Sequence, residues 1–415
     1  MRALIRVLAI GMAWATALAA QSGANASMEN LYLTHRWFEL RDAIAGKPVP
    51  PLYSGAVATA FNRDADAERD LRLAIREAPT KNRANDVREL LLSIYMRTGR
   101  SADAVRLLDE AVAAAPSQDD IKNLRSAFMP LANSPDQSAT VGRGQPFQCT
   151  VRDDGVFLPI TVNRKPVEWL FDSGASNAAL TETEARTLGI AVSSVSAKVG
   201  DFAGGTASMR TGIADRITIG DAELRHVPVL IFPDTQPPWN DQPPGKRGAI
   251  GLPPILALQG IRWTKSGTCS VGPDSGSRAV SSAAGSAPQN LAFDGSTPVI
   301  RVQMDSKPLD FVLDTGNQGG FQLWERFGFD FPALTRSGRR TTTSVEQIGG
   351  STNRDVVEIP ELHLRVGGFD TLIRPARLFS KPIGTEFQHG NIGMSVLSQA
   401  AEVRIDFRAM TVSLR

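Results

Sequence analysis

Two short stretches of this chain carry residue types that move protons. Asp172 lies in Phe171-Asp172-Ser173-Gly174-Ala175 and Asp314 in Leu313-Asp314-Thr315-Gly316-Asn317. Each is an acid at the end of an apolar run, followed by a small hydroxyl residue and a glycine. Two carboxylates brought close cannot both ionise at low cost, so they share one proton and titrate apart. The ionised member can accept a proton from a water held between them, and the protonated member can donate to a carbonyl oxygen. Such a pair attacks an acyl bond through water, with no covalent intermediate on the protein. Gly174 and Gly316 permit a tight turn and close backbone approach beside each acid.

The elements that must position these acids read as strands. Phe157, Ile160 and Val162 alternate, then Val167, Trp169 and Phe171, with Asn163-Arg164-Lys165-Pro166 between the runs. Later, Val302 and Met304 lead through Asp305-Ser306-Lys307-Pro308 to Leu309, Phe311 and Leu313. A constant offset of 142 relates the two stretches: Lys165-Pro166 to Lys307-Pro308, and Trp169-Leu170-Phe171-Asp172 to Phe311-Val312-Leu313-Asp314. The register returns downstream, where Ala249-Ile250-Gly251-Leu252 matches Asn391-Ile392-Gly393-Met394 and Ile261-Arg262-Trp263 matches Val403-Arg404-Ile405. One offset at both ends of a module predicts duplication, with lobes at 145–272 and 290–415. The Ser/Ala/Gly-rich stretch Pro273 to Asn290 between them reads as a flexible linker.

Paired Asp-Ser/Thr-Gly loops, with the hydrophobic-hydrophobic-Gly element Ala249-Ile250-Gly251 and, less fully because Asn391 is polar, Asn391-Ile392-Gly393, resemble the aspartic protease superfamily, which includes the pepsin-like and retropepsin-like enzymes. The resemblance spans residues 145 to 415. It implies a fold that is mainly β with an α-helical N-terminal segment, its two homologous acid-protease-like lobes related by a pseudo-two-fold axis. It further implies a monomeric aspartic endopeptidase with Asp172 and Asp314 as the catalytic dyad, a peptide or protein substrate, and no metal or other cofactor. By the same resemblance, Ser173 and Thr315 hydrogen-bond across the lobe interface and stiffen both loops. Flaps are implied at Gly200-Asp201-Phe202-Ala203-Gly204-Gly205 and Ile348-Gly349-Gly350-Ser351, so Gly204, Gly205, Gly349 and Gly350 mark either lids over an extended peptide or ordinary hairpin turns. Two flaps without a tyrosine look more like a retropepsin dimer than a pepsin. Asn317 departs from the family's Ala, Ser or Thr, which leaves the hydrogen bonding around Asp314 open. The loop Pro233 to Pro244, with Trp239, has no second copy and either borders the cleft or decorates the surface. A contrasting reading is a non-catalytic peptide-binding scaffold on the same fold. A serine hydrolase is excluded by the lack of Gly-x-Ser-x-Gly.

Residues 28–130 read as helix. Val87, Leu90, Leu91, Ile94 and Tyr95 fall on one helical face, as do Ala104, Val105, Leu108, Ala111, Val112 and Ala115. Thr98-Gly99-Arg100 separates the two, with Ser101 expected as an N-cap. Tyr95, Ala104, Leu108, Ala111 and Pro116, with Ala67, Leu71, Ala74 and Pro79 one unit earlier, resemble tetratricopeptide repeats. The alternative is a generic helical bundle. Two units are fewer than a free-standing solenoid needs, so this segment is expected to pack on the rest of the chain or to recruit a protein partner. Leu131 to Gly144 reads as an aperiodic linker.

Composition narrows the remaining classes. The chain has 415 residues, 45 basic against 43 acidic, and is 42% hydrophobic, values that exclude wholesale disorder and leave no field for nucleic acid. With 2 Cys, 4 His and neither Cys-x-x-Cys nor His-Glu-x-x-His, a zinc site is not expected. Arg2 and Arg6 precede an uncharged run from Val7 to Ala20 and the small-residue sites Ala24-Asn25-Ala26 and Ala17-Leu18-Ala19. This is the pattern of a signal peptide over 1–26, giving an exported protein, periplasmic or secreted, with no membrane span after cleavage; the alternative is an uncleaved anchor. In an oxidising compartment Cys149 and Cys269 either pair or stay as two buried thiols.

Overall fold

A computed structural model describes residues 27–115, 117–200, 206–273, 289–317, 320–347, 350–381 and 383–415. The expected leader at 1–26, Pro116, most of the stretch 273–290, and Gly204, Gly205 and Gly349 lie outside the described residues.

The strands that carry the two acids are built alike. Gly155–Val162 turns back into Lys165–Phe171 through Asn163 and Arg164, both at positive φ (47° and 70°). Thr297–Met304 turns back into Lys307–Leu313 through Asp305 and Ser306, also both positive (48° and 67°). A two-residue turn of this hand matches the right-handed twist of its strands, and Asn and Asp tolerate it better than other non-glycine residues. The apolar residues then fall inward: Trp169, Phe171, Phe311 and Leu313 are all fully buried.

Beyond each hairpin, a short strand inserts parallel to the acid-bearing strand. Gly248–Ile250 pairs Ala249 with Leu170 and Ile250 with Phe171. Gly390–Ile392 pairs Asn391 with Val312 and Ile392 with Leu313. Antiparallel neighbours follow on the far side, Ala178–Thr181 in the first sheet and Phe321–Leu323 in the second. A separate sheet joins the two halves. In it, Gly260–Thr264 lies antiparallel to Glu402–Asp406 with Arg262 directly opposite Arg404. Facing arginines would repel, but Glu402 pairs with Arg262 at 2.5 Å and Asp406 with Arg404 at 3.0 Å. The Cys149–Cys269 disulfide is formed across 120 residues of chain. In the chain-entropy account such a loop closure contributes about 4–5 kcal/mol.

The helical region is built from Trp37–Ile44, Pro51–Ala60, Asp64–Glu77, Lys81–Arg97, Ser101–Ala114 and Asp119–Phe128. The break at 98–100 is present, and Gly99 takes φ +69°. Ser101, however, is the first helical residue, and no side chain caps that helix. Thr80 is a true cap, accepting from the Arg83 amide at 3.2 Å. Nor is the stretch after the helices wholly aperiodic: Ser138–Thr140 adds to the first sheet against Glu223–Arg225.

These helices are welded to both sheets. Near the second, Asp294 accepts from Trp37 Nε1 at 3.2 Å and Gln388 Nε2 at 2.8 Å and pairs with His35 at 2.7 Å. Arg301 lies over the Phe38 ring at 4.1 Å and bridges Glu39 and Asp310. Near the first sheet, Asn123 makes reciprocal bonds with the backbone of Lys198 (2.8 and 3.1 Å), and Thr211 Oγ1 donates to the Ala127 carbonyl. The fully buried Arg97 reaches Asp64 Oδ1 and the Thr59 carbonyl at 2.9 Å, the Gly295 carbonyl at 3.3 Å, and the face of Phe293. Burial pulls its guanidinium below the usual value, and Asp64 opposes that pull. Arg97→Ala therefore leaves a carboxylate and two carbonyls short of a donor. The expected loss is about 3 kcal/mol in urea denaturation, and a loss below about 1 kcal/mol would show that the helices are docked by other contacts.

Candidate functional site

Each acid is placed by the sheet behind it. The Asp172 amide donates to the Ile250 carbonyl at 3.0 Å, and the Asp314 amide to Ile392 at 2.9 Å. The inserted parallel strand thus extends its pairing by one bond into each loop and holds the acid just past the end of an interior strand.

The two loops then lock to each other through the hydroxyl residues. Ser173 Oγ donates to the Leu313 carbonyl at 2.8 Å and accepts from the Thr315 amide at 3.1 Å. Thr315 Oγ1 donates to the Phe171 carbonyl at 2.7 Å and accepts from the Ser173 amide at 3.0 Å. Both side chains are 0% exposed. Each hydroxyl spends its donor and one lone pair on the opposite loop, so the four direct bonds form a closed set.

Lock and acids are coupled through the glycines. A Cβ on Gly174 would lie 2.3 Å from Asp314 Oδ1, and one on Gly316 would lie 2.4 Å from the Asp172 carboxyl. Neither glycine has positive φ. The requirement is therefore close approach of the facing carboxyl, rather than an unusual backbone turn.

Hydrogen bonding at the two acids differs. Asp172 Oδ1 accepts from the amides of Gly174 (2.9 Å) and Ala175 (3.1 Å). Asp314 Oδ1 accepts from the Gly316 amide (3.1 Å), and its Oδ2 from Asn391 Nδ2 (3.0 Å). Burial, and then the neighbouring Asp314 charge, push the Asp172 carboxyl far above the usual range, to about 8. Burial raises Asp314 as well, against the Asn391 side chain and the backbone amides that favour its charge. The pair thus keeps one proton through conditions in which free carboxylates have lost both.

Sequence reasoning marked Asp172, Ser173, Gly174, Asp314, Thr315 and Gly316, and the structure brings all six together. It did not mark Asn391, whose polar side chain registered only as an imperfect match in an apolar element. That misfit was the available signal. Asn317, noted as a departure, has a side-chain Nδ2 that is buried without a partner among the described residues. Of the expected flap glycines, Gly350 pairs with Gln347 in the hairpin formed by Arg339–Gln347 and Gly350–Ile359. The strands beside Gly204 and Gly205, Ala197–Gly200 and Thr206–Ile219, are likewise antiparallel. Trp239 packs beside Phe232, ring centroids 5.6 Å apart, in the apolar cluster beneath the helices. Among the described residues, no group of three or more His, Cys, Asp and Glu is clustered for a metal ion, and no helix is long and apolar enough to cross a membrane.

Residues 158–253, which include the Asp172 loop, match the family described as aspartyl protease. No curated protein matches the chain. Two solved structures show weak similarity to it. One is a retropepsin-like aspartic protease from Rickettsia conorii, at 17% identity, covering 33% of this chain and 96% of that one, with a TM-score of 0.21. The other is the retroviral protease-like domain of Ddi1 from Leishmania major, at 15% identity over 30% and 97% of the two chains, with a TM-score of 0.17.

Two predictions follow from this geometry. Thr315→Val keeps the volume but removes a hydroxyl that satisfies a buried amide and a buried carbonyl. It should cost about 3 kcal/mol by chemical denaturation, with an equal or smaller loss for Ser173→Ala; a neutral Thr315→Val would mean the interlock is not holding the loops. The raised carboxyls also make the folded state bind more protons than the unfolded chain between roughly pH 4 and pH 8, so stability falls as pH rises through that window. Asp172→Asn removes the Asp172 share of this term. Its melting temperature should exceed the wild type's at pH 7.5 and lose that advantage at pH 3.5, and the reverse ordering would contradict the assigned shift.

Proposed function

We propose that this chain is an aspartic endopeptidase that hydrolyses peptide bonds with a water activated between Asp172 and Asp314. The observation that carries the reading is the close approach of two carboxyls from loops of different sheets, each resting against the other loop's glycine and held by the reciprocal Ser173 and Thr315 bonds. A site of this kind needs one ionised and one protonated carboxyl, rigidly spaced and open to substrate, and both acids are only half-buried. The match of residues 158–253 to aspartyl proteases points the same way.

On this reading, residues 145–272 and 290–415 are two copies of one module related by a pseudo-two-fold axis, joined within a single chain so that no dimer is required. Support comes from the repeated strand order around each acid and from Arg262 facing its counterpart Arg404 across the joining sheet. An extended peptide lies across both loops, with the hairpins at 197–219 and 339–359 as the flanking flaps. The helical region at 28–130 is tetratricopeptide-like and serves first as packing for the lobes and second as a surface for a protein partner. A leader at 1–26 delivers the protein to an oxidising, extracytoplasmic space, which suits its disulfide.

The purified mature protein should cleave an unstructured protein or a peptide library at mildly acidic pH. Asp172→Asn and Asp314→Asn should each lower kcat/KM by at least about a thousandfold, with both variants still folded. If either retains full activity, the pair is not the catalytic device.

A further inference from the structure

The two halves of the site are unequal: two backbone amides hold Asp172 Oδ1, whereas one amide and one side chain hold the two oxygens of Asp314. Asn391 occupies the place that Ala249 fills in the first sheet. Both lie in the inserted strand, one residue before the carbonyl that accepts from the acid's amide. Both are buried, Ala249 to 1% and Asn391 to 5% exposure. An apolar residue evidently suits this slot, since Ala249 fills it without a polar partner. Asn391 instead places an amide there and leaves its own Oδ1 buried with no partner among the described residues. An unpaired buried acceptor is unfavourable, so packing does not account for the residue. What the amide does supply is a second kind of donor to Asp314: Nδ2 lies 3.0 Å from Oδ2, while Oδ1 is already held by the Gly316 amide. A donor to a carboxylate favours its charged form. On Asp172 the two donors are both backbone amides on Oδ1, and no side-chain amide stands at position 249.

We infer that Asn391 is a positioning residue that decides which acid is ionised: with Nδ2 on its Oδ2, Asp314 holds the charge and Asp172 holds the shared proton. The titratable group facing Asp314 is Asp172, and the other groups acting on it, the amides of Gly316 and Asn317 and the Asn391 side chain, carry no charge. Asp172 in turn faces Asp314 and the amides of Gly174 and Ala175.

The consequence for catalysis rests on the endopeptidase reading. The water oxygen bonds to the scissile carbon as the water gives a proton to Asp314. The carbonyl electron pair moves to its oxygen, which takes the proton of Asp172. The resulting diol is neutral, Asp172 is ionised and Asp314 protonated. Asp314 then passes its proton to the amide nitrogen, the carbon–nitrogen bond breaks with its pair leaving on the amine, and one diol hydroxyl returns a proton to Asp172. The pair ends as it began, and no other reactant is consumed.

The test uses full-length mature protein with carboxyl-13C aspartate, the two signals assigned through Asp172→Asn and Asp314→Asn, in wild type, Asn391→Ala and Asn391→Leu. The leucine variant keeps the branched shape if the alanine variant unfolds. Removing the donor should raise the Asp314 titration by about one pH unit in both variants. The acid limb of kcat/KM for peptide cleavage should move up by the same about one unit, with a roughly tenfold loss below it and KM little changed. An Asp314 titration that stays in place in a folded variant overturns the inference. So does one that moves down, because the amide oxygen would then be facing a protonated Asp314. A wild type that cleaves no peptide defeats the endopeptidase reading alone, since the carbon signals still report which acid is charged and whether Asn391 decides it.

Discussion

The interlock between Ser173 and Thr315 is the constraint on which the rest of the site depends. Two carboxyls in contact repel when both are charged, and nothing in the local sequence of either loop holds the other in place. Four hydrogen bonds from two fully buried hydroxyl side chains supply that restraint. They join backbone to side chain across two sheets, so neither loop can retreat without leaving buried amides and carbonyls unpaired. The glycines that follow are then forced by proximity. Gly174 and Gly316 are the surfaces against which the opposite carboxyl rests, and any side chain there would collide with it.

Holding the loops together requires rigid sheets behind them, and the chain stiffens these from three directions. The inserted parallel strands extend their pairing into the acid amides. A joining sheet ties the two halves through the pairing of Gly260–Thr264 with Glu402–Asp406. The helical region braces both halves at once, through Asn123 and Thr211 on the first sheet and through the Asp294, Arg301 and Arg97 contacts on the second. The inner faces of these helices are committed to the β structure.

The site departs from equivalence where it matters chemically. The backbone places the two acids alike, with matched register and a matched bond from each acid's amide to the inserted strand. The side chains around them do not, because Asn391 stands where the first sheet has Ala249. A shared proton between identical environments has no preferred home. One neutral donor on one carboxylate is enough to bias it, since each pH unit of preference corresponds to only about 1.4 kcal/mol.

Much of this was legible in the sequence, because a duplicated module leaves a constant offset and because strand alternation and turn residues are local properties. The offset of 142 marks both acid loops, both inserted strands and the joining strands in the sequence itself. The break at 98–100 and the strand-to-strand turns at Asn163-Arg164 and Asp305-Ser306 were equally visible, since glycine and small polar residues mark positive φ. Other features have no local signature. Ser101 looked like a cap, yet the helix begins one residue early and leaves it uncapped. Ser138–Thr140 carries no strand pattern and becomes a strand only because a sheet edge lies beside it. Arg97 reads as an ordinary helix-end cation, but packing buries it against a turn almost two hundred residues away. Asn391 reads as a weak match until its amide is seen against Asp314. Residue types and spacing determined which groups could do chemistry; only the tertiary structure decided which environment each one meets, because burial and hydrogen-bond partners are set by segments far apart in the chain.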